Sequence, residues 1–296
     1  MELRELELLV AVAETGSLGQ AAQRFGLTQP AVARRVSVLE RALGLRLLYR
    51  SPSGCRLTGA GAEVVAAARE VLAAAHRLVG VAERAASQSE SHLRVAASFT
   101  VAEHLAPAWV AALRAELPQV SLSLEVVNST QVMAAVTNGR VDIGFVEGPD
   151  RPLAGLASEA VTTDSLTVVV APSHPWAGRP PVPAAELAKT ELVVRERGSG
   201  TREVLEEALR PFGGVRSRLE LGSSASVLAA ARRGEGPAVL SALAAQAELS
   251  AGALCRVEVA GADLSRTIRA VWLAGARPSA LARRLLAAAR EHPAKA

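Results

Sequence analysis

The sequence predicts an α/β protein in three parts: an N-terminal winged helix-turn-helix, a long linker helix, and a C-terminal α/β unit of two lobes. Three observations predict it. A pair of short helical patterns around a glycine turn, the second rich in arginine, occupies residues 17–43. An apolar stripe at heptad spacing follows over residues 60–87. Beyond a polar break, strand-like and helical patterns then alternate to the end of the chain.

The 296 residues, half of them hydrophobic, suffice for a sizeable core and two or three domains. No uncharged apolar run approaches the roughly 20 residues that span a bilayer. The opening MELRELELL carries charges that a signal peptide excludes. A cytoplasmic protein with no membrane partner is therefore expected. Cys55 and Cys255 are far apart and lack a CxxC partner, so they read as reduced thiols. The net charge is only +4, but its distribution is uneven. Up to Thr58 there are eight arginines against five glutamates, and three of those glutamates lie in the first seven residues. Lys189 and Lys295 are the only lysines. Arginine suits bidentate contact with phosphate or guanine, although coding bias explains the preference equally well.

Leu3, Leu6, Leu9, Val10 and Ala13 repeat at helical spacing and give a first helix beneath the helix-turn-helix. Ser17 is placed to cap a second helix over Leu18–Phe25, with Gln20 three residues on to close a capping box. Ala21 and Ala22 allow close packing, and Gly26 takes the sharp turn that favours a residue tolerant of positive φ. Thr28 can cap the third helix, Gln29–Leu43, and Pro30 is tolerated in its first turn. Val32, Val36 and Leu39 share one face while Arg34 and Arg35 point elsewhere, and Gly44 ends the helix. LRLLYRSPSGCRLT then reads as a two-stranded wing that turns at Ser51-Pro52-Ser53-Gly54, with Arg50 and Arg56 flanking the turn. The second helix of such a motif can lie in the major groove of DNA.

The run ETGSLGQAAQRFGLTQPAVARRVSVLERALGLRLLYRSPSGCRLTGAG resembles the N-terminal domain of LysR-type transcriptional regulators over about the first 61 residues. It departs at Ala33, where that family usually has Ser, at Arg35, often Gln, and at Leu48, usually Phe. Ala33 removes a hydroxyl, and Arg35 adds a donor able to read guanine, so both bear on the operator sequence. The expected contacts with double-stranded DNA are Ser17, Gln20, Thr28, Gln29, Pro30, Ala31, Arg34, Arg35, Arg50 and Arg56.

In the linker, Val65, Leu72 and Val79 stand seven apart, with Ala68, Ala75 and Ala82 between them. This is an a/d seam with small residues for close helix approach, or else the face of a helix packed on its own domain. Gly80 weakens the helix slightly. The resemblance implies a dimerising helix that sets two reading heads on two half-sites. SQSESH, residues 87–92, is the expected domain boundary. The domains are thus 1–58, 59–88 and 89–296.

Strands are expected at 93–98, 120–127, 141–146, 166–171, 192–195, 218–221, 237–240 and 267–273. Helices are expected up to Glu116 and at 129–138, 201–209, 225–233 and 278–290. The strand at 166 is taken to begin a second sheet, and residues 173–183 are a proline-rich loop. Two lobes, about 92–164 with 266–296 and about 165–265, would resemble the type 2 periplasmic-binding-protein fold. The family carries this fold as its effector-binding domain. NGRVDIGFVEGP, the HPWA loop and ERGSGTREVLEEAL fit it well, and ARRGEG at 231–236 fits roughly.

In open α/β sheets ligands bind at the carboxyl ends of strands. Those ends carry Ser98 and Thr100, Asn128 and Ser129, and Ser199, Gly200 and Thr201, each ahead of a helix whose free N–H groups favour an anion. Any one of these hydroxyls is equally well a plain cap. Glu147 would face the same cleft, to bind an amine, exclude some anions, or stand solvated in a loop. Arg195 and Arg202 are candidates for pairing with an acidic effector.

His76, His92, His104, His174 and His292 are scattered, with no metal spacing and no nucleophile partner. GSGT at 198–201 lacks the lysine of a P-loop. Neither an enzyme nor a cofactor is expected. The expectation is a dimeric or tetrameric DNA-binding regulator, activator or repressor, controlled by a small anionic metabolite and meeting RNA polymerase if it activates. The competing reading is a cytoplasmic small-molecule-binding protein whose basic head makes protein contacts.

Overall fold

A computed structural model describes residues 2–51, 54–86 and 92–293, which form two compact units divided at Ser87. Pro52, Ser53, residues 87–91 of the expected boundary, and the side chains of Arg50, Ser51, His76 and Ala82 lie outside the described residues. No helix among the described residues is long and apolar enough to cross a membrane.

In the first unit α1 (Leu3–Thr15), α2 (Leu18–Arg24) and α3 (Gln29–Leu43) precede the antiparallel hairpin β1 (Leu48–Ser51) and β2 (Gly54–Leu57). The long α4 (Gly59–Ala86) follows. The heptad-like spacing on α3 buries Val32, Val36 and Leu39 completely against Leu8, Leu9, Val12 and Ala21. Gly26 and Gly44 turn the chain at φ 64° and 67°, as a residue without Cβ can. Two expected caps differ. Ser17 accepts the Gln20 N–H at 3.3 Å, but its own N–H goes to Thr15 Oγ1 at 3.3 Å, so the box does not close. Thr28 caps α3 through its carbonyl, which takes the N–H groups of Ala31 and Val32, and its side chain makes no cap bond.

At the start of the linker seam the second of the two readings, a helix face packed on its own domain, is the one observed. Val65 and Ala68 are buried in the first unit's own core, and Leu72 packs on its edge. An apolar periodicity identifies a stripe without saying what covers it. Among the described residues, the large apolar side chains that α4 leaves exposed are Val71, Leu78 and Val79.

The second unit alternates strands and helices. Its first lobe holds β3 (His92–Ala97), α5 (Phe99–His104), α6 (Ala106–Glu116), β4 (Ser121–Val126), α7 (Ser129–Thr137) and β5 (Ile143–Gly148). The single helix expected to end at Glu116 is two, broken at Leu105, with Pro107 in the first turn of the second. Next comes β6 (Leu156–Val170), a continuous strand where only 166–171 was expected. It does not begin a separate sheet. Its first part pairs with residues 265–273 and its last part with residues 238–241 and 255–257, so one nine-stranded sheet runs through both lobes.

The second lobe contains β7 (Val182–Pro183), α8 (Ala184–Lys189), β8 (Glu191–Arg195), α9 (Gly200–Leu209), β9 (Arg216–Leu221), α10 (Ser224–Arg232), β10 (Ala238–Ser241), α11 (Ala242–Ser250), β11 (Cys255–Val257) and β12 (Val259–Ala260). The chain returns through β13 (Ser265–Leu273), antiparallel to both β5 and β6, and ends in α12 (Ala280–Glu291). The first lobe's core centres on Trp109 and Phe145, whose rings lie 5.0 Å apart. The second lobe's core is formed by Val168, Leu187, Leu192 and Leu205.

Candidate functional site

The predicted residues fall into two groups. The first is the N-terminal end of α3 and the wing. Gln20, Thr28, Gln29, Pro30, Arg34, Arg35 and Arg56 are exposed, and Ser17 and Ala31 are half-buried. Among the described residues no ion pair engages Arg34, Arg35 or Arg56, whereas Arg24, further back on α2, is held by Glu14 at 2.8 Å. The same helix buries its opposite face completely, so α3 presents cationic side chains on a rigid support. The hairpin is fixed from behind: Cys55 N–H donates to the Gly16 carbonyl at 2.8 Å, and a Cβ at Gly54 would stand 2.8 Å from that oxygen. Glu40 accepts the N–H groups of Leu47 and Leu48, tying the end of α3 to the wing. An uncompensated cationic helix beside an anchored hairpin suits a polyanion with a groove.

The second group lies between the two lobes. Ser98, Thr100, Ser129, Glu147, Ser199 and Thr201 are all buried. Arg266, whose side chain has no exposed area, joins three of them, Thr100, Glu147 and Thr201. It donates to Thr100 Oγ1 of the first lobe at 3.0 Å and to Thr201 Oγ1 of the second at 2.9 Å. It also grips Asp164 Oδ2 through Nε at 2.8 Å and Nη2 at 2.6 Å. Asp164 in turn accepts from Ser241 at 2.7 Å. Glu147 completes the cluster, with Oε1 3.5 Å from Arg266 Nη1 and within 3.3 Å of the Thr100 hydroxyl. Ser98 donates to its other oxygen, and Ser129 donates to its carbonyl at 3.0 Å. Charges this deep are tolerated when each is paired and hydrogen-bonded. Glu147 is thus a buried partner in a network and not a solvated loop residue.

Other predicted residues do different work. Asn128 spends its Oδ1 on the Gln131 N–H in a capping box that starts α7. Ser199 stands at the N-cap of α9, yet its Oγ is buried without a partner. Gly200 allows α9 to approach the backbone of Glu147, where a Cβ would lie 1.9 Å from the carbonyl oxygen. The two expected anion-pairing arginines are already paired: Arg195 with Glu196 at 2.8 Å, and Arg202 with Glu206 at 2.6 Å. Their charge is largely met from within the second lobe. Arg195 also stacks over Phe99 of the first lobe at 4.7 Å. Arg202 keeps one buried nitrogen, Nη1, unpartnered.

An open cavity of about 470 Å³ lies alongside, lined by Asp150, Thr163, Val204, Glu207, Asp263, Arg266 and Thr267 among others. None of the eight hydroxyl, glycine, amide or carboxylate residues predicted for the cleft lines it; Arg266 does. Ser265, bonding to Asp263 through side chain and backbone, holds that carboxyl below its ordinary 3.8. Among the described residues no three His, Cys, Asp or Glu side chains are grouped to hold a metal ion.

Arg266 and Asp164 were missed by sequence reasoning. A signal for Arg266 does exist, because it shares a strand face with Ile268 and Ala270, both fully buried. A charged residue on a buried strand face is informative.

Comparisons with known proteins bear on both sites. Residues 3–62 match the family model of a bacterial regulatory helix-turn-helix protein, lysR family, and residues 86–294 match that of a LysR substrate binding domain. An uncharacterized HTH-type transcriptional regulator of Mycobacterium tuberculosis is 42% identical over 287 residues, covering 93% of this chain and 91% of the relative. Among solved structures, the CcmR regulatory domain of Synechocystis in complex with 2-PG is similar, with TM-score 0.61 and 27% identity over 69% of this chain and 99% of that one. Full-length CbnR complexed with its target DNA matches with TM-score 0.53 over 99% of each chain; at 23% identity it speaks for the fold alone.

Proposed function

Because this chain belongs to the LysR family of bacterial transcriptional regulators, we propose that α3 reads its operator and that the Arg266 cluster is the seat of its effector. It is a DNA-binding transcriptional regulator with an effector-binding domain. Regulators of this family bind DNA and small-molecule effectors and form oligomers.

The observation that carries the reading is the contrast in how charge is satisfied. Arg34, Arg35 and Arg56 are exposed without ion pairs among the described residues, as a phosphate-binding face requires. Thr28, Gln29 and Ala31 stand at the start of α3, the part of a recognition helix that meets base edges. In the second unit, hydroxyls from both lobes converge on one buried guanidinium. A ligand there would contact both lobes at once. Dimerisation is assigned to α4, whose exposed Val71, Leu78 and Val79 lie seven and eight residues apart and can form one face with a second copy. Where the protein activates, RNA polymerase is the further partner.

The test has two arms. Fluorescence anisotropy with the DNA upstream of the gene should show saturable binding that weakens steeply with salt. Binding no tighter than to random duplex across that region and neighbouring promoters would reject operator reading. Thermal-shift screening of the full chain against a metabolite library should give hits that Thr100→Val and Thr201→Val abolish, with DNA binding intact. Hits bound equally by both variants would remove the cleft assignment.

A further inference from the structure

Glu147 lies where an anion bound to this cleft would be held. It is 3% exposed, near the carboxyl end of β5. One carboxylate oxygen takes the Ser98 hydroxyl, and the other faces Thr100 Oγ1 at 3.3 Å and Arg266 Nη1 at 3.5 Å. Gly200, the first residue of α9, packs so closely that a Cβ on it would come 2.9 Å from Glu147 Cγ. The Glu147 side chain therefore stands beside the N-terminal, positive end of a helix of 10 residues. Hydroxyl donors, a guanidinium and a helix N-terminus are the groups from which proteins build anion sites. At the same helix start, Ser199 Oγ and Arg202 Nη1 are buried without a partner, on residues 2% and 5% exposed. Donor capacity there exceeds what the chain's own acceptors use.

We infer that Glu147 is a tethered counter-ion. Its carboxylate fills an anion hole made by Ser98, Thr100, Arg266 and the start of α9, and the effector is a small anion that takes the hole by displacing it. The inference rests on the reading of this cleft as the effector site and names the ligand class and its competitor. Charge decides between displacement and addition. Glu147 and Asp164 face a single Arg266 in the buried cluster, which already carries excess negative charge. A further anion beside Glu147 would be repelled where screening is weak. Replacement keeps the charge balance and reuses the same donors. A carboxylate, with two oxygens in one plane, matches the present occupant atom for atom. The tether also sets affinity, because an external anion competes with a side chain held at high effective concentration.

Acetate, the Glu147 headgroup without its tether, is the probe. The full chain is titrated with sodium acetate at constant ionic strength, by calorimetry and thermal melting. Glu147→Ala should bind acetate about tenfold or more tighter than wild type, the factor by which a hole nine-tenths filled from within taxes an outside ligand. Glu147→Gln, which fills the space without the charge, should fall between them, and it carries the test if the alanine variant does not fold. Adding Thr100→Val to Glu147→Ala should return acetate affinity to the wild-type level. Equal acetate affinity in wild type and both Glu147 variants overturns the proposal. So does stabilisation of wild type, but not of Glu147→Gln, by methylammonium, since Glu147 would then be a ligand for a cation. Neither result touches the cleft reading itself, which fails only if metabolite hits bind Thr100→Val and Thr201→Val as tightly as wild type.

Discussion

Arg34 and Arg35 stand exposed on α3 without ion pairs among the described residues, whereas Arg266 is wholly buried and engaged with Asp164, Thr100, Thr201 and Glu147. The two sites put the same guanidinium to opposite uses. On α3 the charge stays hydrated, and under the proposed reading it would lose that hydration only when phosphate replaces it. Between the lobes the chain supplies the anions itself, so a ligand entering there would have to exchange with bonds already made. Hence the first site can lose an arginine without losing stability, and the second cannot.

Arg266→Met tests that contrast most severely. It leaves Glu147 and Asp164 buried without their cation, a loss expected to cost about 3–5 kcal/mol. Trp109, Trp176 and Trp272 all lie in the second unit, so urea unfolding followed by tryptophan fluorescence reports that unit alone. Arg34→Met, followed by helix circular dichroism, should change stability by no more than about 0.5 kcal/mol. Comparable losses from the two substitutions would break the comparison.

A second pair of variants asks whether tight backbone packing differs as charge does. Gly200→Ala would set a Cβ 1.9 Å from the Glu147 carbonyl oxygen, and Gly61→Ala would set one 2.1 Å from that of Leu47. Backbone cannot step aside as a flexible side chain can. Each variant should lose about 1–3 kcal/mol. The fluorescence transition should move only for Gly200→Ala, and a shift of equal size for Gly61→Ala would mean that the units unfold together.

How far each site could be read from the sequence follows from the same physics. α3 runs Gln29–Leu43 as its pattern predicts, because a proline in the first turn and Gly44 at φ 67° are local signals. Its buried and exposed faces follow from spacing alone. In the cleft, Ser98, Thr100, Glu147 and Thr201 were legible as residues at strand ends, but the group that joins them was not. Arg266 meets Thr100 across 166 residues and Asp164 across 102, distances over which no periodicity carries information. Arg195 and Arg202 looked available to a ligand for the opposite reason: their partners Glu196 and Glu206 stand only one and four residues on, and the i,i+4 spacing of Arg202 and Glu206 on a helix was a local signal left unread. The α4 seam shows the limit in a third way, since Val65 and Ala68 have the spacing of a dimer contact and fill the head's own core.

On the exposed face, Arg34→Ala should weaken binding to any duplex by about 1 kcal/mol and reduce the slope of log affinity against log salt by about 0.9, the share of one phosphate. Arg35→Ala sharpens the assignment. If Arg35 reads guanine, its loss should relax preference at one base pair and leave the salt slope unchanged. A slope lowered by both substitutions would make both residues phosphate contacts and move base reading to Thr28 and Gln29. An unchanged slope for Arg34→Ala would remove it from the phosphate face.

The smallest expected effect concerns pH and belongs to the second unit. His174 accepts the backbone N–H of Trp176 at Nδ1, 3.1 Å away, and its ring stands edge-on to the indole at 5.5 Å. Burial lowers its pKa from 6.5, because the charged ring loses hydration there. A proton on Nδ1 would also remove the acceptor that Trp176 uses. With the folded value below the unfolded one, the unfolded chain binds more protons in the interval between them. Stability is therefore unaffected above the unfolded value and falls as pH drops from there through the folded value. His174→Asn keeps an acceptor near the Nδ1 position and does not titrate. Its melting temperature should fall less than that of wild type between about pH 7 and pH 5. A guanidinium keeps its charge throughout this range, so the non-specific component of DNA binding should show no matching difference between the two proteins. Equal melting slopes would mean that Trp176 finds another acceptor, and the loop would then contribute nothing to the pH dependence of the fold.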